Sequence, residues 1–146
     1  MERIQLESIN FPGYFIRHRY ALGELTRRDG PAEDFWFTLE RRGSEHQREI
    51  VALQSFNFPD RFLRHRDFRM RLESPDGPDD ELFLQDSSFV VVSGLADPDG
   101  ISFRSVNFPD RFIRHREYHL YLEPDDTPSL AGDATFLRTP APVPVE

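Results

Sequence analysis

The chain contains no cysteine, which excludes a disulfide framework and any thiolate metal site. No apolar run approaches the ~18 residues of a membrane helix, so no membrane association is expected. The opening Met1-Glu2-Arg3-Ile4-Gln5-Leu6 lacks the apolar core of a secretory leader. As written, the product is expected to stay in the cytoplasm unless a leader was removed. Basic charge is scarce too: 18 Lys and Arg face 26 Asp and Glu, for a net charge of −8. That balance argues against a nucleic-acid partner, which usually leaves a basic footprint. Trp (1) and Tyr (4) are rare beside 14 Phe, making Phe the expected core aromatic. No stretch holds a 3.6-residue apolar pattern over three turns, so no helix is expected.

What is present is one stretch in triplicate. Ser105-Val106-Asn107-Phe108-Pro109-Asp110-Arg111-Phe112-Ile113-Arg114-His115-Arg116 recurs, nearly unchanged, at Ser55–Arg66 and Ser8–Arg19. The Asn residues at 10, 57 and 107 are spaced by 47 and 50 residues, a period that marks a repeat architecture. One repeat is too small to bury a core alone, so the three must share one. The expected organisation is a single domain over 1–139, with repeats of about 1–49, 50–99 and 100–139, and a Pro-rich tail over 140–146.

Each repeat reads as four short strands separated by turn signals. In the third these are Ile101–Val106, Arg111–Arg114, the alternation Tyr118/Leu120/Leu122, and Asp133–Leu137. In the second, Phe68, Met70 and Leu72 take the inward places and Asp86 opens the fourth strand. In the first, Asp34 opens it, Ala21 and Gly23 replace the larger residues, and a register change or bulge is expected near Leu22. Glu40–Glu49 reads as a polar linker. Phe11, Phe15, Phe58, Phe62, Phe108 and Phe112 read as core, Asn10, Asn57 and Asn107 as turn formers, and Trp36 as outward-facing. Threefold repetition of four strands in an all-β chain is best closed as a β-trefoil, which leaves no exposed sheet edge.

The triplicated Asn-Phe-Pro-x-x-Phe-Ile/Leu-Arg-His, followed by Asp-x-x-Phe, resembles the arabinofuranose-binding (AbfB-type) domain, the family 42 carbohydrate-binding module. The resemblance spans about Ile4 to Thr139. It implies a β-trefoil with up to three shallow pockets for arabinofuranosyl side chains of arabinoxylan or arabinan. By motif, the pockets would hold His18 with Asp34, His65 with Asp86 and Phe68, and His115 with Asp133 and Tyr118. The family's one often degenerate repeat would here be the first, where Ala21 stands in the aromatic's place. The implied partner is an arabinose-containing oligo- or polysaccharide, together with an associated glycoside hydrolase; a monomer is expected.

The chemistry suits a sugar. A carboxylate offers only acceptor sites to hydroxyl protons, an imidazole orients, and an aromatic supplies the apolar wall. The same Arg-His and Asp pairs have a purely structural reading, locking each repeat with no ligand. No cofactor is implied. One His per repeat without Cys or paired-His spacing makes no metal site, and one Asp per repeat is not the carboxylate pair of glycoside hydrolysis, so no enzyme is expected. Two alternatives stay open: a protein-interaction trefoil that has lost sugar binding, and a binder of an anionic glycan through Arg19, Arg66 and Arg116.

Overall fold

Period-two burial along the repeated segments builds the sheet. A computed structural model describes residues 2–142. Its strands are β1 (Arg3–Ser8), β2 (Tyr14–Arg19), β3 (Leu22–Arg27), β4 (Phe37–Glu45), β5 (Arg48–Ser55), β6 (Phe62–Arg66), β7 (Arg69–Glu73), β8 (Phe89–Ser93), β9 (Ile101–Ser105), β10 (Arg111–Arg116), β11 (His119–Pro124) and β12 (Phe136–Pro140). The first and fourth strands of each repeat pair in a ring: β1 with β4, β4 with β5, β5 with β8, β8 with β9, β9 with β12, and β12 with β1. Every barrel strand therefore has two neighbours, and among the described residues the barrel presents no free edge. The second and third strands form hairpins β2–β3, β6–β7 and β10–β11, whose inner strands pair with each other in a triangle over one barrel end. This is the β-trefoil.

The core repeats as the sequence does. Leu6, Leu53 and Phe103 stack as one layer, with Ile16, Leu63 and Ile113, then Leu25, Leu72 and Leu122, then Phe37, Phe89 and Phe136, all essentially without exposure. Three equivalent large residues do not always fit around one axis. At the third-strand triad Gly23/Met70/Leu120, a Cβ on Gly23 would lie 3.1 Å from Met70 Cβ and 3.2 Å from a Leu120 methyl. The glycine thus makes room, and no register change is needed. β3 pairs with β2 His18 to Gly23, just as His65 pairs with Met70 and His115 with Leu120. The irregularity expected near Leu22 falls instead between Arg41 and Gly43.

Several other local expectations change. The supposed linker Glu40–Glu49 is the long β4–β5 hairpin, turning at His46 and Gln47 with φ of 49° and 68°. Short helices do occur: α1 (Glu81–Asp86), α2 (Leu130–Asp133) and a 3-10 turn over Ala32–Phe35. None is long enough to show an apolar period, which is why the pattern hid them. Asp80 caps α1. Amide bonds from Asp76 and Phe83 hold its carboxyl below the usual carboxylate range. Trp36 is buried rather than outward, packed with Phe15, Phe35 and Ala141 under the Arg3 guanidinium. Pro140 pairs with Ile4 and the Ala141 amide donates to the Arg3 carbonyl, so the sheet runs past the expected boundary at Thr139. The rest of the tail, residues 143–146, lies outside the described residues.

Candidate functional site

The short helical turns aim the aspartates. Asp34 lies in the 3-10 turn, and Asp86 and Asp133 are the last residues of α1 and α2. They were expected to open strands; the strands start about one turn later, at Phe37, Phe89 and Phe136. This offset points each carboxylate back toward the Arg-His pair of its own repeat. Arg17 Nη2 donates to Asp34 at 2.9 Å and Arg64 Nη2 to Asp86 at 2.5 Å; Arg114 Nη2 likewise pairs with Asp133. The imidazoles sit 3.7, 3.4 and 3.6 Å from the other oxygen of Asp34, Asp86 and Asp133.

The remaining half of each site comes from the following repeat. Asn57 Nδ2 donates to Asp34 at 2.9 Å while its Oδ1 faces His18 Nε2 at 2.8 Å. Asn107 spans Asp86 and His65 at 2.8 and 3.0 Å. Asn10 closes the cycle, reaching Asp133 at 2.7 Å and His115 at 2.8 Å. A carboxylate can only accept, so the Asn must turn its NH2 to the Asp and its oxygen to the His, which places a proton on Nε2. Ser8, Ser55 and Ser105 brace the arrangement. Each hydroxyl donates to the Asn oxygen two residues on and accepts from the Phe amide three residues on. The Asn residues are turn formers, as expected, and they are also structural members of the sites.

The Phe of Asn-Phe-Pro forms the rim. Phe11, Phe58 and Phe108 are 36%, 43% and 37% exposed, against an expectation of core, and their rings lie 4.6, 5.5 and 5.4 Å from His115, His18 and His65. Phe15 and Phe112 are buried as expected, and Phe62 partly so. Phe68 and Tyr118 leave the third-strand face and occupy hairpin turns at φ of 61° and 69°. Positive φ at both central residues is the geometry of a two-residue hairpin turn, shared by Tyr20/Ala21 and His46/Gln47. Phe68 stacks with His65 and meets Phe108 at 5.3 Å; Tyr118 meets Phe11 at 5.8 Å and Tyr14 at 5.5 Å.

All eight expected site residues thus converge on three equivalent places. Asn10, Asn57 and Asn107 and the rim Phe residues complete them. The signal that could have found these partners is Ser-x-Asn-Phe, present at one offset in all three copies. Each Asp retains acceptor capacity beyond its Arg and Asn bonds, so hydroxyl groups of a ligand can be accepted beside an exposed aromatic ring. Burial pushes the His115 imidazole below its usual value and Arg114 adds to this, while Asp133 opposes it. At the first site a cleft of about 360 Å3 opens between His18, Asp34 and Phe58.

Three equivalent polar networks, each spanning a repeat boundary of a closed β-trefoil, define a domain built from repeats. The chain belongs to the α-L-arabinofuranosidase B (ABFB) domain family, whose model matches residues 2–91 and 80–142. Membership places it among arabinose-related carbohydrate-binding domains. Among solved structures it is similar to an arabinofuranosidase complexed with arabinofuranosyl-α-1,2-xylobiose, with TM-score 0.81 and 23% identity over 96% of this chain and 31% of that one. It also resembles the BEL β-trefoil in an apo crystal form (TM-score 0.70, 18% identity, 95% and 92% coverage). A third similar structure is an endo-β-galactosidase from Clostridium perfringens (TM-score 0.74, 10% identity, 96% and 32% coverage). The chain therefore spans about a third of the arabinofuranosidase it matches. Comparison with curated proteins returns no match.

Proposed function

We propose that the chain is a non-catalytic module that binds arabinofuranosyl side chains of hemicellulose at its three repeat-boundary sites. The observation that carries this reading is the Arg-Asp-Asn-His network built three times beside an exposed Phe. Each of these rings is at least 36% exposed beside a carboxylate with open acceptor sites, the pairing of apolar wall and placed polar group that small-ligand sites use. His18 with Asp34, His65 with Asp86 and Phe68, and His115 with Asp133 and Tyr118 are the proposed contacts. The carboxylates accept furanose hydroxyls, and the rings cover the apolar face. Each site sets one aspartate against the imidazole, where glycoside hydrolysis uses a flanking pair. Catalysis then belongs to an associated glycoside hydrolase, with this module, a monomer, holding it on the polymer through several weak sites acting together. The anionic-glycan alternative loses two of its three arginines, since Arg66 and Arg116 pair with Glu73 and Glu123 at 3.1 Å.

The test is a residue-resolved NMR titration with methyl α-L-arabinofuranoside. Shifts at Asp34, Asp86 and Asp133 and at the rim Phe residues are expected. Phe108→Ala should weaken the second site about tenfold and leave the others unchanged, as one lost aromatic contact predicts. A flat titration at high ligand concentration sinks the reading.

A further inference from the structure

The three sites share one backbone plan but not one shape. At the second and third, the second residue of the hairpin turn is aromatic, and its ring bridges to the facing turn of the neighbouring repeat. Phe68 lies under the Arg111 guanidinium, 3.7 Å from carbon to ring centre, and Tyr118 stacks on Tyr14. At the first site the backbone is the same. The Ala21 carbonyl accepts from the Leu72 amide at 2.9 Å, as the Phe68 and Tyr118 carbonyls accept from Leu122 and Leu25. Only the ring is missing. Arg61, the counterpart of Arg111, rests over Phe58 instead.

Where the ring is missing, the first site meets the neighbouring surface. The cleft of about 360 Å3 at His18 shares Ala21, Arg61 and Leu72 as walls with a second cavity of about 520 Å3. That second cavity continues along Arg66, Glu73, Ser74 and Asp76. Both volumes fall in the ~300–1,000 Å3 range of ligand sites. The far lining alternates cationic donors with carboxylate acceptors. Arg66 and Glu73 already pair at 3.1 Å. Such a wall suits uncharged hydroxyl-bearing units, which both donate and accept, better than an ion of either sign.

From this we infer that the first site is the mouth of a continuous groove for a neutral oligosaccharide; at the third, the corresponding cavity of about 440 Å3 along Arg19, Arg27 and Asp29 is bordered by the Tyr118 ring. The inference rests on the sugar-binding reading above and adds a subsite to it. An arabinofuranosyl unit sits against His18 and Asp34, and the sugars that carry it run past Ala21 into the cavity between Arg66 and Asp76. The repeat that looked degenerate, for want of an aromatic, becomes the one that reads the polymer backbone.

The test compares methyl α-L-arabinofuranoside with arabinofuranosyl-α-1,2-xylobiose by NMR titration of the intact chain and two variants. Ala21→Phe restores the ring that the same turn tolerates at Phe68, and Ser74→Trp fills the far cavity from an exposed position away from His18. Support is a first site that binds the trisaccharide at least tenfold tighter than the methyl glycoside, with shifts at Arg66–Asp76 from the trisaccharide alone. Ser74→Trp should erase that advantage and leave methyl glycoside binding in place, and Ala21→Phe should erase it too. If both ligands titrate His18, Asp34 and Phe58 with equal affinity and nothing moves at 66–76, the groove is wrong and the pockets stand. If neither ligand shifts any of the three sites, groove and pockets fall together.

Discussion

Arg64 donates through Nε to the His65 carbonyl at 3.0 Å, through Nη2 to Asp86 at 2.5 Å and through Nη1 to Glu73 at 3.2 Å. Only a planar fork can make these bonds at once, and all 18 basic residues of the chain are arginine. Arg64→Lys is expected to cost about 1–3 kcal/mol, from bonds lost to buried charge, read as a lower urea midpoint at unchanged slope. Asn107→Ala should cost a similar ~1–3 kcal/mol, because it strips a donor from Asp86 and an acceptor from His65. For His115 the sign follows from its lowered folded value. Above the ordinary imidazole range both states are neutral and the group contributes nothing. As pH falls below ~6.5 the unfolded chain takes up the proton first, so stability drops until the folded imidazole also titrates. Urea midpoints from pH 7.5 to 5 should show this fall, reduced in His115→Gln. The Arg-His pair and the Asp of Asp-x-x-Phe were legible as a set because both repeat. Their Asn was not, because a local reading accounts for it as a turn residue and its partners lie one repeat away.

At the level of the element, the three hairpins carry the sites and cap the barrel. Arg69 sits where they meet. Its Nη1 donates to the carbonyls of Gly23 at 2.6 Å, Leu120 at 2.9 Å and Met70 at 3.2 Å, the equivalent residue of each repeat, and its Nη2 reaches Glu24 at 2.9 Å. Leu22 and His119 take the corresponding places in the other hairpins, so one asymmetric side chain closes a threefold arrangement. Arg69→Leu leaves Glu24, whose side chain is 6% exposed, with the His119 imidazole as its remaining ionic partner, and should cost about 1–3 kcal/mol. Adding Glu24→Gln should return part of that loss, measured by the same urea titration. Gly23→Leu, which copies the third repeat, is expected to overpack the axis and cost about 1–3 kcal/mol. Strand positions were legible from period-two alternation. The accommodation at Gly23 was not, since a register shift and a shared axis leave the same mark in one strand. The helical turns that aim the aspartates span six residues or fewer, too short to leave a period.

For the whole molecule, the ring of barrel pairings and the ring of sites run in the same direction. Each repeat gives Arg, His and Asp to one site and Ser, Asn and Phe to another, and the chain closes on itself when Asn10 meets His115 and Asp133. The trefoil was legible from the count of repeats and strands; the sharing of sites between repeats was not, because the motif looks complete within each copy. That sharing has a consequence for how such a protein can arise. A peptide cut at the boundaries of one repeat, from its Ser-x-Asn-Phe to its aspartate, carries halves of two different sites, and it is too small to bury a core alone. Three separate copies joined by the same pairings would form three complete sites at once. The smallest ancestor with a function to keep is therefore a homotrimer, and fusion into one chain freed Gly23, Arg69 and Ala21 to differ from their counterparts.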